Sequence, residues 1–170
     1  MIQLKEYLDK RLFTNYKNYI FQCFLATVSI FMILLFLNVF DEAALIASLG
    51  ATAFIIFALP STYSSQPKRI IGGYIIGVLV GILCVSLAYA LFSEMILYEK
   101  FGLIIFGSIA VGVSIFLMCS TNMEHPPAAG IALGVVINNW DYHSLVYIFI
   151  AVFIMAGARK LLSPYLIDLI

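Results

Sequence analysis

An all-α, polytopic membrane bundle of about six apolar segments is what this sequence predicts, on three observations. Of its 170 residues 64% are hydrophobic and only 11% are charged, with a mean hydropathy of +1.08. Soluble domains run at roughly 45–50% apolar and about 25% charged, so a water-soluble fold of this size cannot hide so much apolar side chain. The apolar residues also come in runs that approach the roughly 20 helical residues needed to cross a hydrocarbon core, and the few charges stand between those runs.

The elements follow in chain order. Residues 1–17 place Leu4, Leu8 and Leu12 at helical spacing with Lys5, Asp9, Lys10 and Arg11 between them. That is the pattern of an amphipathic helix lying on the cytoplasmic membrane surface. The segment has no short apolar core before a small-residue cleavage site, so it is not expected to be a removable signal peptide. Residues 18–163 read as one transmembrane domain. Asn18 to Phe40 is a first span, Asp41 and Glu42 make a short turn, and Ala43 to Pro60 returns. The polar stretch Ser61 to Arg69 precedes a third span, Ile70 to Phe92, which ends near Glu94, Glu99 and Lys100. Phe101 to Cys119 is the fourth, and it runs into STNMEHPP. A short apolar piece, Ala128 to Ile137, is closed by Asn138, Asn139, Trp140 and Asp141, and Leu145 to Ala158 ends at Arg159 and Lys160.

Cytoplasmic loops retain Lys and Arg. Six crossings from a cytoplasmic N-terminus put Lys5, Lys10, Arg11, Lys17, Lys68, Arg69, Arg159 and Lys160 inside and only Lys100 outside. Both termini are therefore expected in the cytoplasm of a bacterial inner-membrane protein, with Tyr16 and Tyr19 as inner interfacial anchors and Trp140 and Tyr142 as outer ones. A net charge of zero gives no footprint for nucleic acid. The three cysteines, Cys23, Cys84 and Cys119, lie in apolar runs without metal-ligand spacing and are expected to be reduced packing residues. No metal or cofactor is expected.

A repeat at an offset of 59 residues aligns STYSSQP (from Ser61) with STNMEHP (from Ser120) and sets Phe57 against Phe116. Gln66-Pro67 thus stands opposite His125-Pro126. Both copies fall where a descending helix gives way to an ascending one, and parallel repeats of this kind are one way transporters are built.

The chemistry is expected in the second copy. Pro126 and Pro127 lack amide hydrogens, suit the first turn of a helix and force His125 to be extended. A helix from Pro126 to Ile137 covers only about 18 Å, so the break should sit below the membrane surface with the helix N-terminus aimed inward. Such an end carries partial positive charge and free amides, a ready anion site. His125 would donate to an anion there, with the amides of Ala128 and Ala129, and the repeat would bring Gln66, Ser61, Thr62, Ser120 and Thr121 near. Glu124 is the proton-coupling candidate. Gly50, Ser48 and Thr52 form a weakly polar patch that lines a cavity or packs, with Gly50 able to loosen the second span. Lys68 and Arg69 read as solvated topogenic charges, and His143 as a solvated loop residue. Gly73, Gly77 and Gly81, and again Gly130 and Gly134, make smooth helix faces for close packing. There is no phosphate loop, HExxH or Cys pair.

The HPP tripeptide, preceded by a hydrophilic Ser-Thr and followed by small residues, resembles the HPP family of integral membrane proteins. The likeness extends over SLGATAFIIFALP (Ser48 to Pro60), QPKRIIGGYIIGVLVG (Gln66 to Gly81) and HPPAAGIAL (His125 to Leu133). The family typically reads HPPAGAT where this chain has HPPAAGI, and often has His and Pro where Ser61 and Tyr63 stand. The resemblance implies a transporter or channel for a small inorganic anion, nitrite being the named candidate. The alternatives are an intramembrane enzyme using Glu124 and His125 as an acid-base pair, or a structural membrane subunit. A homo-oligomer is compatible with the glycine faces.

Overall fold

The computed structural model describes residues 10–35, 37, 42–92, 96–138 and 141–170. Leu4, Lys5, Leu8, Asp9, Phe40, Asp41, Glu94, Asn139 and Trp140, and the side chains of Lys10, Leu12 and Glu99, lie outside them. The chain is an all-helical, polytopic bundle: α1 (Lys10–Leu34), α2 (Ala43–Ala58), α3 (Pro67–Phe92), α4 (Ile96–Ser120), α5 (Pro126–Ile137) and α6 (Tyr142–Leu162), with a 3-10 turn at Tyr63–Ser65. Asn15 leaves helical geometry (φ −116°, ψ 24°), so α1 kinks between its charged start and its apolar span. α1 ends at Leu34, Leu37 N–H still reaches the Ile33 carbonyl (3.2 Å), and residues 38–40 of the expected span lie outside the described residues. α4 begins at Ile96, ahead of the expected Phe101, and takes Glu99 and Lys100 into its first turns, whereas the remaining boundaries fall within a few residues of the apolar runs.

Among the described residues four helices are long and apolar enough to cross a membrane: Phe13–Leu34, Pro67–Phe92, Lys100–Ser120 and Tyr142–Leu162. The 16 residues of α2 and 12 of α5 reach only about 24 Å and 18 Å.

Contacts between the helices fix their directions. Gln22, midway along α1, donates to the Phe57 carbonyl at the end of α2. Ser144 at the start of α6 donates to Glu42 at the start of α2, and Arg159 near the end of α6 donates to the Pro60 carbonyl (2.8 Å). Along α3, Gly73 abuts His125 and Gly81 abuts Val135, so α3 and α5 run parallel. The helices therefore alternate, and the start of α1, the 60–66 loop, the HPP segment and the C-terminal tail share one end of the bundle.

The glycine faces explain the core. A Cβ on Gly77 would lie 2.4 Å from the Ala128 carbonyl oxygen, and one on Gly81 would lie 2.9 Å from that of Ala132, so α3 receives the backbone of α5 directly. On its other side, a Cβ on Gly134 would stand 2.6 Å from Leu45 and one on Gly130 3.5 Å from Ser48. Small residues on both faces let α5 sit between α2 and α3 at backbone distance, which in lipid replaces the hydrophobic drive for association. The short helix is thus the most enclosed element, with Ala128, Ile131, Ala132 and Val135 fully buried.

The C-terminal tail closes the same end. Leu169 N–H donates to the Ala58 carbonyl (2.9 Å), and Tyr19 donates to the Leu169 carbonyl. Gln22 exchanges bonds with Ile167, donating at 2.9 Å and accepting at 3.2 Å. The last carbonyls of α2 have no helical partners, and burying them unpaired is costly. Gln22 and the tail satisfy them, and the Asp168 carboxylate accepts from Ser61 N–H (2.9 Å).

Candidate functional site

The site is built from a helix break sunk into the bundle. α4 ends with Asn122 in the left-handed region (φ 56°), and Met123 N–H reaches back to the Met118 carbonyl (2.9 Å). This satisfies a terminal carbonyl, and Asn tolerates the left-handed conformation better than most residues. His125 is then extended (φ −135°, ψ 97°), as the residue before proline must be, and α5 starts at Pro126. His125 packs against Gly73, six residues into α3. At 1.5 Å per residue the α5 N-terminus lies about 9 Å inside the level at which α3 begins.

At that depth His125, Thr52 and Tyr74 are all fully buried. His125 Nδ1 lies 2.9 Å from the Ser64 carbonyl oxygen, and Nε2 lies 2.9 Å from Thr52 Oγ1. Thr52 Oγ1 is 2.7 Å from the Tyr74 hydroxyl and 3.1 Å from the carbonyl of Ser48. Ser48 itself donates to the Pro127 carbonyl. The Tyr74 and His125 rings are 5.7 Å apart and tilted by 37°. A carbonyl cannot donate, so the Nδ1 hydrogen points at Ser64. With a neutral ring, Nε2 then accepts from Thr52, and Thr52 in turn accepts from Tyr74. A single directional chain links α3, α2 and the HPP segment to the 60–66 loop.

The loop is held from four sides. His125 donates to Ser64, Arg159 to Pro60, and Asp168 accepts from Ser61. The Arg69 guanidinium carbon lies 3.1 Å from the Tyr63 ring centroid, a cation–π contact. Ser65 donates its hydroxyl within the loop, to carbonyls of Pro60 (2.5 Å) or Thr62 (2.8 Å). Arg69 also pairs with Glu124, whose side chain is one-third exposed while that of Arg69 is 5% exposed. Arg69 is therefore not the solvated charge expected: a cation at this depth needs a counter-ion, and Glu124 supplies it.

Comparison with known proteins agrees with this architecture. The family described as "HPP, transmembrane region" matches residues 12–164. The chain belongs to the HPP transmembrane family. A transmembrane protein of Dictyostelium discoideum is 30% identical over 123 residues, covering 72% of this chain and 40% of that protein. The chain thus spans well under half the length of this curated relative. No solved structure matches it.

Around the HPP segment, the residues expected at an anion site are dispersed. Pro126 is exposed and Pro127 buried. Ala128 and Ala129 are buried against the neighbouring helices, and the Ala128 N–H already donates to the His125 carbonyl (2.9 Å). Gln66 is exposed at the start of α3. Thr62 donates to the Leu59 carbonyl (2.8 Å). Ser120 and Thr121 are exposed and donate back to α4, to Phe116 (2.8 Å) and Leu117 (2.7 Å) respectively. Exposed Ser61 is tied by its backbone to Asp168. α2 runs helically through Gly50, and a Cβ there would meet nothing within 4 Å, so Gly50 neither breaks the helix nor touches the cluster. Glu124 faces Arg69 rather than His125.

Of the expected set, the structure brings together Thr52 and His125. Tyr74, Ser64 and the carbonyl of Ser48 complete the cluster. Tyr74 had one legible signal, a phenol immediately after Gly73 in an otherwise apolar run. Among the described residues no group of three or more His, Cys, Asp and Glu is placed to hold a metal ion.

Proposed function

We propose that this HPP family member moves a small inorganic anion, nitrite being the candidate implied by the family resemblance, through the bundle past His125. The observation that carries the reading is the buried Tyr74–Thr52–His125 chain at a helix break. Ionisable and polar groups inside a membrane are expensive to bury, and where they persist they mark pathways for ions and protons. The break supplies the other requirement: α5 points its N-terminus, with its partial positive charge, at the cluster. In this reading the basic end, with Lys17, Lys68 and Lys160, faces the cytoplasm, and all six helices cross, α2 and α5 with the support of their neighbours.

An acid-base enzyme built on Glu124 and His125 is disfavoured by the same geometry. Glu124 is paired with Arg69, and His125 has both ring nitrogens engaged elsewhere. Purified protein in lipid vesicles, loaded against external nitrite, tests the proposal: uptake above that of protein-free vesicles is expected. Binding or turnover without uptake would refute it.

A further inference from the structure

We propose that His125 is a proton-loading site and that the anion crosses only together with that proton, one for one. The inference rests on the transport reading above and names its coupling ion. It follows from counting hydrogens. Between Nε2 and Thr52 Oγ1, 2.9 Å apart, a hydrogen must lie. It belongs either to Thr52, when the ring is neutral, or to Nε2, when the ring is a cation. In the neutral state Tyr74 donates to Thr52 and Thr52 donates to Nε2.

When a proton arrives from the aqueous face and forms the Nε2–H bond, only the Thr52 hydroxyl has to move. Its hydrogen turns from Nε2 to the Ser48 carbonyl, 3.1 Å away. Thr52 then accepts from both Nε2–H and Tyr74, and Nδ1–H stays on Ser64. No hydrogen bond is lost, because the α2 carbonyl is a spare acceptor one turn before Thr52. The cluster is thus arranged to hold the proton in either state, and release on the far side reverses the rotation.

Among the described residues, what the added proton lacks is a counter-ion. From the preceding loop Glu124 is neutralised by Arg69 of α3. Asp168 of the tail is bonded to Ser61 N–H, and Glu42 lies at the opposite end of α2, against Ser144. From α6 the group facing the loop is Arg159, a cation. α4 meets α5 through apolar contacts such as Gly107 on Leu133. The groups contributed by α2 and α3, Ser48, Thr52 and Tyr74, are uncharged. An imidazolium left alone in such surroundings is prohibitively costly, so a monovalent anion has to accompany it. Conversely, the neutral cluster carries no charge to offset that of an anion entering this depth. Proton and anion each require the other, and the pair is electrically neutral.

Vesicles containing the purified full chain and clamped at zero potential distinguish the possibilities, with nitrite as probe and protein-free vesicles subtracted for passive entry of its neutral acid. Coupling predicts that acidifying the outside by about one pH unit raises initial uptake severalfold, toward about tenfold. It also predicts that an imposed potassium diffusion potential at equal pH changes uptake less than about twofold. Thr52→Ser keeps the hydroxyl and should retain the pH-driven component, whereas Thr52→Val should lose about tenfold or more of it. Tyr74→Phe, which leaves the Thr52 switch in place, should stay pH-driven at reduced rate. Uptake that follows the potential and ignores the pH gradient overturns the coupling while leaving transport standing. A Thr52→Ser protein that is folded yet has lost the pH-driven component also overturns it. Uptake no greater than in protein-free vesicles overturns the transport reading itself.

Discussion

At Gln66-Pro67 and at His125-Pro126 the chain performs the same backbone step, an extended residue followed by proline as the first residue of a helix. The surroundings differ. α3 runs for 26 residues from its proline, so Gln66 is at the bundle end and exposed. α5 runs for 12, with the glycine face of α3 on one side and its own Gly130 and Gly134 turned to α2 on the other, so its start is drawn inward and His125 is enclosed. Helix length and the volume of neighbouring side chains, rather than the local motif, decide which start becomes a buried polar site. The repeat preserves the means of starting a helix, and burial supplies the chemistry.

Accessibility should separate the two starts most sharply. In a background lacking Cys23, Cys84 and Cys119, a membrane-impermeant thiol reagent should label Gln66→Cys from the cytoplasmic side alone. It should label exposed Tyr142→Cys from the outer side alone, and Thr52→Cys from neither. Labelling of positions 66 and 142 from the same side would end the six-crossing arrangement.

The next difference is energetic. His125→Ala removes a ring from a packed site and strands the Ser64 carbonyl and the Thr52–Tyr74 pair, which together should cost about 3 kcal/mol or more. Gln66→Ala, at an exposed position, should stay within about 0.5 kcal/mol. Thermal unfolding in detergent reads both, and equal melting of His125→Ala and wild type would mean that the cluster contributes nothing to the fold. A smaller effect is expected where the glycines admit α5. Gly77→Leu forces side chain against the Ala128 backbone and should destabilise by about 1–3 kcal/mol, whereas Gly112→Ala, with nothing within 4 Å of its Cβ, should be near neutral. Equal tolerance of the two would place the Gly77 face against lipid.

The smallest effect concerns a third helix start, which relies on a side chain instead of proline. Asp141 caps α6, and its exposed carboxyl is held below the usual carboxylate range, first by Ser144 N–H (2.7 Å), then by the Ser144 hydroxyl. A depressed folded-state value means that this cap stabilises the helix fully above the unfolded pKa of about 4 and is lost as pH falls through the lower folded value. Melting temperature should therefore decline slightly on acidification below about pH 4, and Asp141→Asn should flatten that portion of the curve. An identical profile for the variant would remove the cap as its cause.

Much of this arrangement is written locally. The apolar runs place six helices, Pro126-Pro127 places the start of α5 at the residue observed, and the spacing of Gly73, Gly77 and Gly81 announces a close approach. What the spacing does not carry is the partner across that approach. Tyr74 and Thr52 meet His125 only because α3 and α2 pack on α5 in one register, and nothing within either helix encodes it. The pairing of Arg69 with Glu124 is equally non-local, as is the clasp from Gln22 to the C-terminal tail. Thr62, Ser120 and Thr121 have the chemistry of an anion site, yet they sit at helix ends where local backbone carbonyls occupy their hydroxyls first.

The central claim is that the enclosed start works and the exposed one does not. Nitrite flux into vesicles, compared between His125→Ala and Gln66→Ala at matched amounts of folded protein, tests it most directly. The account predicts a loss on the order of tenfold to a hundredfold for His125→Ala, the scale of one charge-assisted hydrogen bond, a comparable loss for His125→Gln, which cannot take up the proton, and less than about twofold for Gln66→Ala. Wild-type flux through His125→Ala would contradict it and reduce the HPP segment to a helix start.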